Sequence, residues 1–378
     1  MNKRRKLKIL QVLSHKNMVR GGAVQGYLLA LGLKERGHNV SMIFNRGEKL
    51  LKEDLETLRC VEDKGIPYSF YRMDSLKDAL KFRKALKSED YDVIHTHRDI
   101  ALRFVLRSAI GLKLKSLFTN RGNNYRLKKK ERKLYFSKKL DCTCAVAQAV
   151  KDVLVHRCGM NPDKVEVVYG SFDENIFNKE YDSGVVRREF GLDNGRKIVG
   201  NIAAPQGKKG HLFYFETIKK VLEKKPDVVF MLVGRGLKEK FADKVKELGI
   251  EKNVIFTGYR ADIPEVISSF DVSVCSATKG EGLTGAVRES LALGKPVVST
   301  DVAGNKEIVI HGKTGILVPP KNTDAMAQAI IYLLDHPEEG AVMGREGKKV
   351  VFEKCNNTIR CDRIEKIYYK VLDSKGIL

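Results

Sequence analysis

Strand-length apolar runs alternate with helical patterns along this chain, and near its middle the alternation stops and starts again. Residues 7–13, 39–44, 68–71, 92–95, 116–119, 142–147 and 165–168 read as strands, with a helix opening after Gly21 and Gly22. A second series follows at 197–202, 228–233, 254–257, 272–275, 296–300 and 315–318, with a helix over 211–224. Strands separated by helices of this length form parallel β-α-β units with right-handed crossovers. The expected fold is therefore α/β, two Rossmann-like doubly wound domains facing a central cleft. The polar stretch 177–192 is the expected linker, which gives domains at 1–182 and 183–356 and a last helix in 357–378 that returns to the first domain. Ligands of such sheets bind beyond the C-terminal ends of the strands.

The 378 residues suffice for two domains of ordinary size. No run approaches the ~20 apolar residues of a membrane span. The basic start Asn2-Lys3-Arg4-Arg5-Lys6 is followed by too short an apolar run for a secretory signal, so a cytoplasmic location is expected. Seven scattered cysteines fit a reducing compartment, and Cys142-Thr143-Cys144 reads as a thiol strand facing a core. The net charge of +23 is uneven: 38 Lys and Arg stand against 22 Asp and Glu in 1–182, and 32 against 25 in the rest. Between Arg98 and Lys139 only Asp99 and Glu131 oppose the cations. Such a face attracts polyanions, with an anionic membrane surface the expected partner and a solvated helix face the plain alternative.

The most informative segment is Gly280-Glu281-Gly282-Leu283-Thr284-Gly285-Ala286-Val287-Arg288-Glu289, between the strand 272–275 and a helix over 286–293. Amides of Gly282 to Gly285 are expected to lie unpaired at a helix N-terminus, which attracts phosphate. Glu281 and Glu289, at most ~12 Å apart along a helix, suit a sugar's hydroxyls and a ribose, since vicinal hydroxyls donate to paired carboxylate oxygens. Two glutamates near a helix start can also be mere dipole partners. Lys209, in the loop before the helix at 211, can neutralise a departing diphosphate. Lys208 competes for that role, and an ordinary solvated lysine pair is the alternative.

The strand of Asp92-Val93-Ile94-His95-Thr96-His97-Arg98 carries two histidines, expected on opposite faces with only His97 reaching the ligand. His-x-His suggests a metal, but no carboxylate or cysteine groups with it, so a hydrogen bond to a sugar is expected instead. In Val19-Arg20-Gly21-Gly22, the glycines can cradle a phosphate or admit an acceptor. They do not form the dinucleotide fingerprint, which argues against a nicotinamide enzyme. Arg121 ends another strand and points to the cleft or to solvent. In the second half, Gly234 is expected to admit a nucleotide closely, and backbone groups near Tyr259 and Arg260 to pair with a base edge.

With these residues named, the chain resembles the family 4 glycosyltransferases, retaining enzymes of the GT-B fold. The likeness rests on the glycine pair, the His-x-His strand end, Lys209-Gly210, Glu281-Gly282 and Glu289. It extends through Ser290-Leu291-Ala292-Leu293-Gly294-Lys295-Pro296-Val297-Val298. The resemblance implies that Glu281 contacts the donor sugar, Glu289 the ribose, amides from Gly282 the phosphates, Lys209 the leaving diphosphate, and His97 the sugar. It also implies no metal and no cofactor beyond a nucleotide-sugar co-substrate, UDP-sugar foremost. Asp90-Tyr91-Asp92 precedes its strand and is not read as a metal site. The family's usual arginine before Lys-Gly is replaced by Ala203 and Ala204, leaving Lys208, Arg235 and Arg121 as substitutes.

The expected function is sugar transfer to a glycan or lipid-linked acceptor in lipopolysaccharide or envelope polysaccharide synthesis, on the inner face of the cell membrane. The alternatives are a nucleotide-sugar epimerase or hydrolase, and a non-enzymatic polyanion binder. No nucleic acid is expected as partner, since no stacking platform or recognition motif accompanies the charge.

Overall fold

The computed structural model describes residues 4–18, 21–193 and 195–378. It divides into two compact units, one running to Ser171 and including Asn356–Leu378, the other Phe172–Cys355.

The first unit holds seven strands: β1 Lys8–Leu13, β2 Asn39–Asn45, β3 Tyr68–Tyr71, β4 Val93–His97, β5 Leu117–Arg121, β6 Cys142–Ala145 and β7 Val165–Val167. They pair in parallel in the order β3-β2-β1-β4-β5-β6-β7. The inner strands are buried along most of their length, which explains why they read as apolar runs rather than alternating ones, while the edge strand β3 is only partly buried. The helices used below are α1 Gly21–Glu35, α2 Leu76–Ser88, α3 Asp99–Ser108 and α4 Lys129–Tyr135. The C-terminal helix Asn357–Ser374 packs against α1. At their crossing a Cβ on Gly32 would lie 2.5 Å from Cys361 Sγ, and Asn357 Nδ2 donates to the Leu28 carbonyl at 2.8 Å.

The second unit repeats the plan with β8 Ile198–Ile202, β9 Val229–Val233, β10 Val254–Gly258, β11 Val272–Cys275, β12 Val297–Thr300 and β13 Ile316–Val318. Their order is β10-β9-β8-β11-β12-β13, again parallel. The helices α5 His211–Leu222 and α6 Gly285–Ala292 follow β8 and β11. The order reverses between β8 and β11, so the loops after these two strands open the crevice where such sheets bind ligands.

The expected boundary at 182/183 moves to 171/172. Phe172 stacks edge-on with Phe177 and Phe352 and donates its amide to the Cys355 carbonyl, all within the second unit. The expected linker 177–192 contains the helix Gly184–Glu189, whose Val186 is buried and whose Arg187 bonds the Arg196 carbonyl and Asp271. A polar composition hid these anchors. Cys142 and Cys144 are both buried, and all seven cysteines are free thiols. Among the described residues, no helix is long and apolar enough to cross a membrane.

Candidate active site

The site of the second unit begins with two stitched loops. After β8 the chain makes a tight turn at Gly207–Lys209 and leaves it through Gly210, at φ 72°. Ser276, just past β11, donates its hydroxyl to the Lys209 carbonyl at 3.0 Å, and the Thr278 amide donates to the Lys208 carbonyl at 2.8 Å. With the backbones fixed this way, both lysines fall on one carboxylate. Lys208 Nζ is 3.0 Å from Glu281 Oε1, and Lys209 Nζ is 3.2 Å from Oε2. Burial alone would push the Glu281 carboxyl up, but Lys209 and then Lys208 hold it below its ordinary range. The result is an ionised glutamate, 8% exposed, with an excess of one positive charge beside it. Of the three substitutes for the family's arginine, Lys208 is the one held here.

Next along the chain lies the start of α6. Thr284 is its N-cap, and no side chain caps the helix. The first-turn amides from Gly285 onward therefore have no intrahelical acceptor. The expectation of free amides from Gly282 to Gly285 needs one correction. The Thr284 amide donates to Asn305 Oδ1 at 3.1 Å, and the Gly282 carbonyl accepts from the Gly304 amide at 2.7 Å. Asn305 also reaches Ser299 Oγ at 3.1 Å, so it ties the cradle to β12. Nothing in its local sequence marked it. Leu283 is half-buried between these anchors. Glu289 runs back along α6, its Oε1 placed 3.5 Å from where a Cβ on Gly285 would sit. Burial raises its carboxyl, and Arg288 offsets part of that rise. The Ser273–Ser290 hydroxyl pair, at 2.7 Å, pins the helix to β11.

The remaining candidates of this unit have structural duties. A Cβ on Gly234 would lie 2.3 Å from the Ala203 carbonyl oxygen, which accounts for the glycine without a ligand. Arg260 grips Asp262 at 2.8 and 2.5 Å and also pairs with Glu189, so its side chain is committed. Tyr259 is exposed, with the Arg235 guanidinium 5.4 Å over its ring. Arg235 is itself exposed.

In the first unit, the expectation that the two histidines point to opposite faces is overturned. Residues two apart on a strand share a face, and the His95 and His97 rings stack at 5.1 Å and 15°. Both are buried and neutral: burial takes His95 down to about 3 and His97 well below its usual value. His95 Nδ1 meets the Tyr368 hydroxyl at 2.5 Å. His97 Nε2 faces Gln11 Oε1 at 2.8 Å, and Asn120 Nδ2 faces His97 Nδ1 at 3.0 Å. These partners select the Nε2–H tautomer and occupy both ring nitrogens. Gln11 and Asn120 were missed because their role arises only when β1, β4 and β5 align, as the pairings Leu13–His97 and His97–Asn120 show.

Gly21 and Gly22 open α1; Val19 and Arg20 lie outside the described residues. A Cβ on Gly22 would come within 2.9 Å of the His15 ring, while Gly21 faces open space. The Arg121 side chain is committed within the first unit. It is buried beneath α4, with Tyr125 O at 3.3 Å, Glu131 at 3.8 Å and the Tyr135 ring below it.

Residues 19–175 match the family described as Glycosyltransferase Family 4, and residues 196–336 match Glycosyl transferases group 1. The chain is 26% identical to N-acetyl-alpha-D-glucosaminyl L-malate synthase of Bacillus anthracis, covering 94% of this chain and 95% of that protein. It is 22% identical to UDP-Gal:alpha-D-GlcNAc-diphosphoundecaprenol alpha-1,3-galactosyltransferase of Escherichia coli, covering 79% and 81%. The crystal structure of Anabaena HepE in complex with UDP and glucose superposes with a TM-score of 0.81 at 19% identity, over 96% of this chain and 99% of that one. That likeness is one of fold, two Rossmann-like domains of the GT-B type. Each half of the chain thus matches its own part of one enzyme class, and the chain belongs to the family 4 glycosyltransferases.

Proposed function

We propose that this enzyme transfers a sugar from a UDP-sugar, with retention of configuration, to an anionic or lipid-linked acceptor in lipopolysaccharide or envelope polysaccharide synthesis. The observation that carries the reading is the convergence of Lys208, Lys209 and Glu281 beside the uncapped start of α6. Glu281 takes the sugar's hydroxyls, Glu289 the ribose, and the amides from Gly285 the phosphates. Gly234 and the backbone at Tyr259 and Arg260 border the base. The acceptor oxygen bonds to the anomeric carbon as the bond from that carbon to the diphosphate oxygen breaks, on the same face. The electron pair leaves with the diphosphate, where Lys209 and Lys208 meet its charge in place of a metal. The acceptor's proton passes to a phosphate oxygen. In the first unit, His97 is the residue proposed to hydrogen-bond a sugar hydroxyl, and Gly21 and Gly22 are those proposed to admit the acceptor. Because both His97 nitrogens are engaged, Asn120 or Gln11 must yield if the ring is to touch substrate.

The relatives support the substrate classes. One is named for a UDP-Gal donor and a diphosphoundecaprenol-linked acceptor, another for L-malate. The location we propose is cytoplasmic, on the inner face of the membrane. In the first unit, α2, α3 and α4 lie side by side. They expose Leu76, Leu80, Ile100 and Phe136 among Lys77, Lys84, Arg103, Lys129 and Lys133. Apolar tips within a cationic field suit an anionic leaflet, each cation adding ~1 kcal/mol.

A thermal-shift panel of UDP, GDP, ADP, TDP and CMP on wild type and Glu289→Ala tests the donor. A ligand that binds only the folded state raises the melting temperature. UDP should stabilise the wild type and not the variant; no shift with any nucleotide would sink the reading. Co-sedimentation with phosphatidylglycerol vesicles, weakened by Leu76→Glu with Leu80→Glu, tests the membrane part. Equal recovery from phosphatidylcholine vesicles at low salt would remove it.

A further inference from the structure

Arg288 has no role in the scheme above, yet it is placed in an unusual way. Its guanidinium belongs to a residue only 3% exposed, and its Nε has no hydrogen-bond partner among the described residues. Among the described residues its one ion pair is loose: Nη2 stands 3.9 Å from Glu289 Oε1, beyond hydrogen-bond reach. Cys355, which senses the same charge, has its thiol pushed up to about 11 by burial and so supplies no counter-charge near neutrality. A buried cation without good acceptors is strongly unfavourable, and an arginine can offer five donors.

Where the guanidinium sits suggests what completes it. Helical side chains lean back toward the N-terminus. Here Arg288 reaches over the first turn of its own helix, with Nη2 3.7 Å from the position a Cβ would take on Gly285. Gly285 is the first residue of α6, where no side chain caps the helix. The missing Cβ leaves that spot open between Arg288 Nη2 and Glu289 Oε1, the latter 3.5 Å from it. An uncapped helix start and a buried, underused guanidinium therefore address one point.

We propose that Arg288 is a donor-binding residue that takes a phosphate oxygen of the nucleoside diphosphate at the start of α6, across from Lys208 and Lys209. Glu289, one residue on, holds the ribose, so the adjacent pair would read the junction between ribose and phosphate. This rests on the donor reading given above. It assigns the phosphates cations from two directions, the lysines after β8 and the arginine within α6.

Titration calorimetry with UDP, UMP and uridine on wild type, Arg288→Gln and Arg288→Lys tests it. One charge-assisted hydrogen bond lost should weaken UDP about 10- to 100-fold, with uridine changed by less than about threefold. Arg288→Lys should recover part of the UDP affinity, and it carries the same test if the glutamine variant does not fold. UDP and uridine weakened equally would show that Arg288 acts only through Glu289, and unchanged UDP affinity would show no ligand role. Either result overturns the inference while leaving the donor site standing. A wild type that binds none of the three would overturn the donor reading and this inference with it.

Discussion

Gly210 lies so close to Ser276 that a Cβ on the glycine would be 1.9 Å from the serine's carbonyl oxygen. Its φ of 72° adds a second reason against a side chain. Gly210→Ala should therefore cost about 2 kcal/mol or more, a left-handed penalty of ~1–2 plus a backbone clash that only loop movement relieves. Gly207→Ala, with open space around it and φ outside the left-handed region, should change stability by less than about 0.5 kcal/mol. Urea unfolding of both variants checks this. If Gly210→Ala is as stable as wild type, the stitched-loop account is wrong.

Lys209 and Lys208 share one carboxylate, so their removals should differ in rate but agree in direction of titration. Lys209→Ala should lower kcat by about 10²–10³, the usual loss for a group facing developing charge. Lys208→Ala should lower it less. In either variant the Glu281 carboxyl loses a cation that holds it down, so its titration moves up. The acid limb of the rate profile should shift to higher pH, because protonated Glu281 then appears under milder acid. A profile of kcat/KM against pH for the three proteins decides it, and an unmoved acid limb would remove Glu281 from the titrating step.

His211 is the first residue of α5, 2% exposed and stacked on Phe241 at 5.1 Å, with neither ring nitrogen hydrogen-bonded among the described residues. Burial, then Lys209 and Lys240, takes its titration down to about 4. The unfolded chain protonates this residue near 6.5. Between those values the unfolded state binds the extra proton, so stability falls as pH drops from about 6.5 to about 4. The slope is at most about 1.4 kcal/mol per pH unit from this group. His211→Phe should flatten that part of the curve. Identical melting curves against pH for both proteins would contradict a buried neutral imidazole.

Asn120→Asp should place a carboxylate where the amide now donates to His97 Nδ1. A proton on that nitrogen becomes favourable, so the ring's titration should rise from its deeply lowered value. Proton NMR of the histidine resonances against pH reads this directly. No movement would mean that Asn120 does not set the tautomer.

The inner strands were legible because a buried parallel strand is largely apolar, and 272–275 matches the observed element to the residue. Lys209 and Glu281 were legible because both follow strands flanking the reversal of sheet order. Arg288, Asn305 and Gln11 were not, since each acquires its place only when distant elements meet. The unit boundary was hidden by Phe172, a single aromatic anchor in a polar stretch. The two histidines were misplaced by a miscount of strand alternation, which the stacked rings correct.

The two lysines on Glu281 mean that the site carries its own counter-ion. An anion arriving alone must compete with an internal carboxylate that is already in place and cannot diffuse away. Inorganic phosphate or sulfate gains little from that exchange, having nothing to offer the displaced glutamate. A ligand presenting hydroxyls to Glu281 while its phosphates engage the lysines satisfies both partners at once. On the reading proposed above, the arrangement would disfavour simple inorganic anions, which engage the lysines but offer nothing to Glu281.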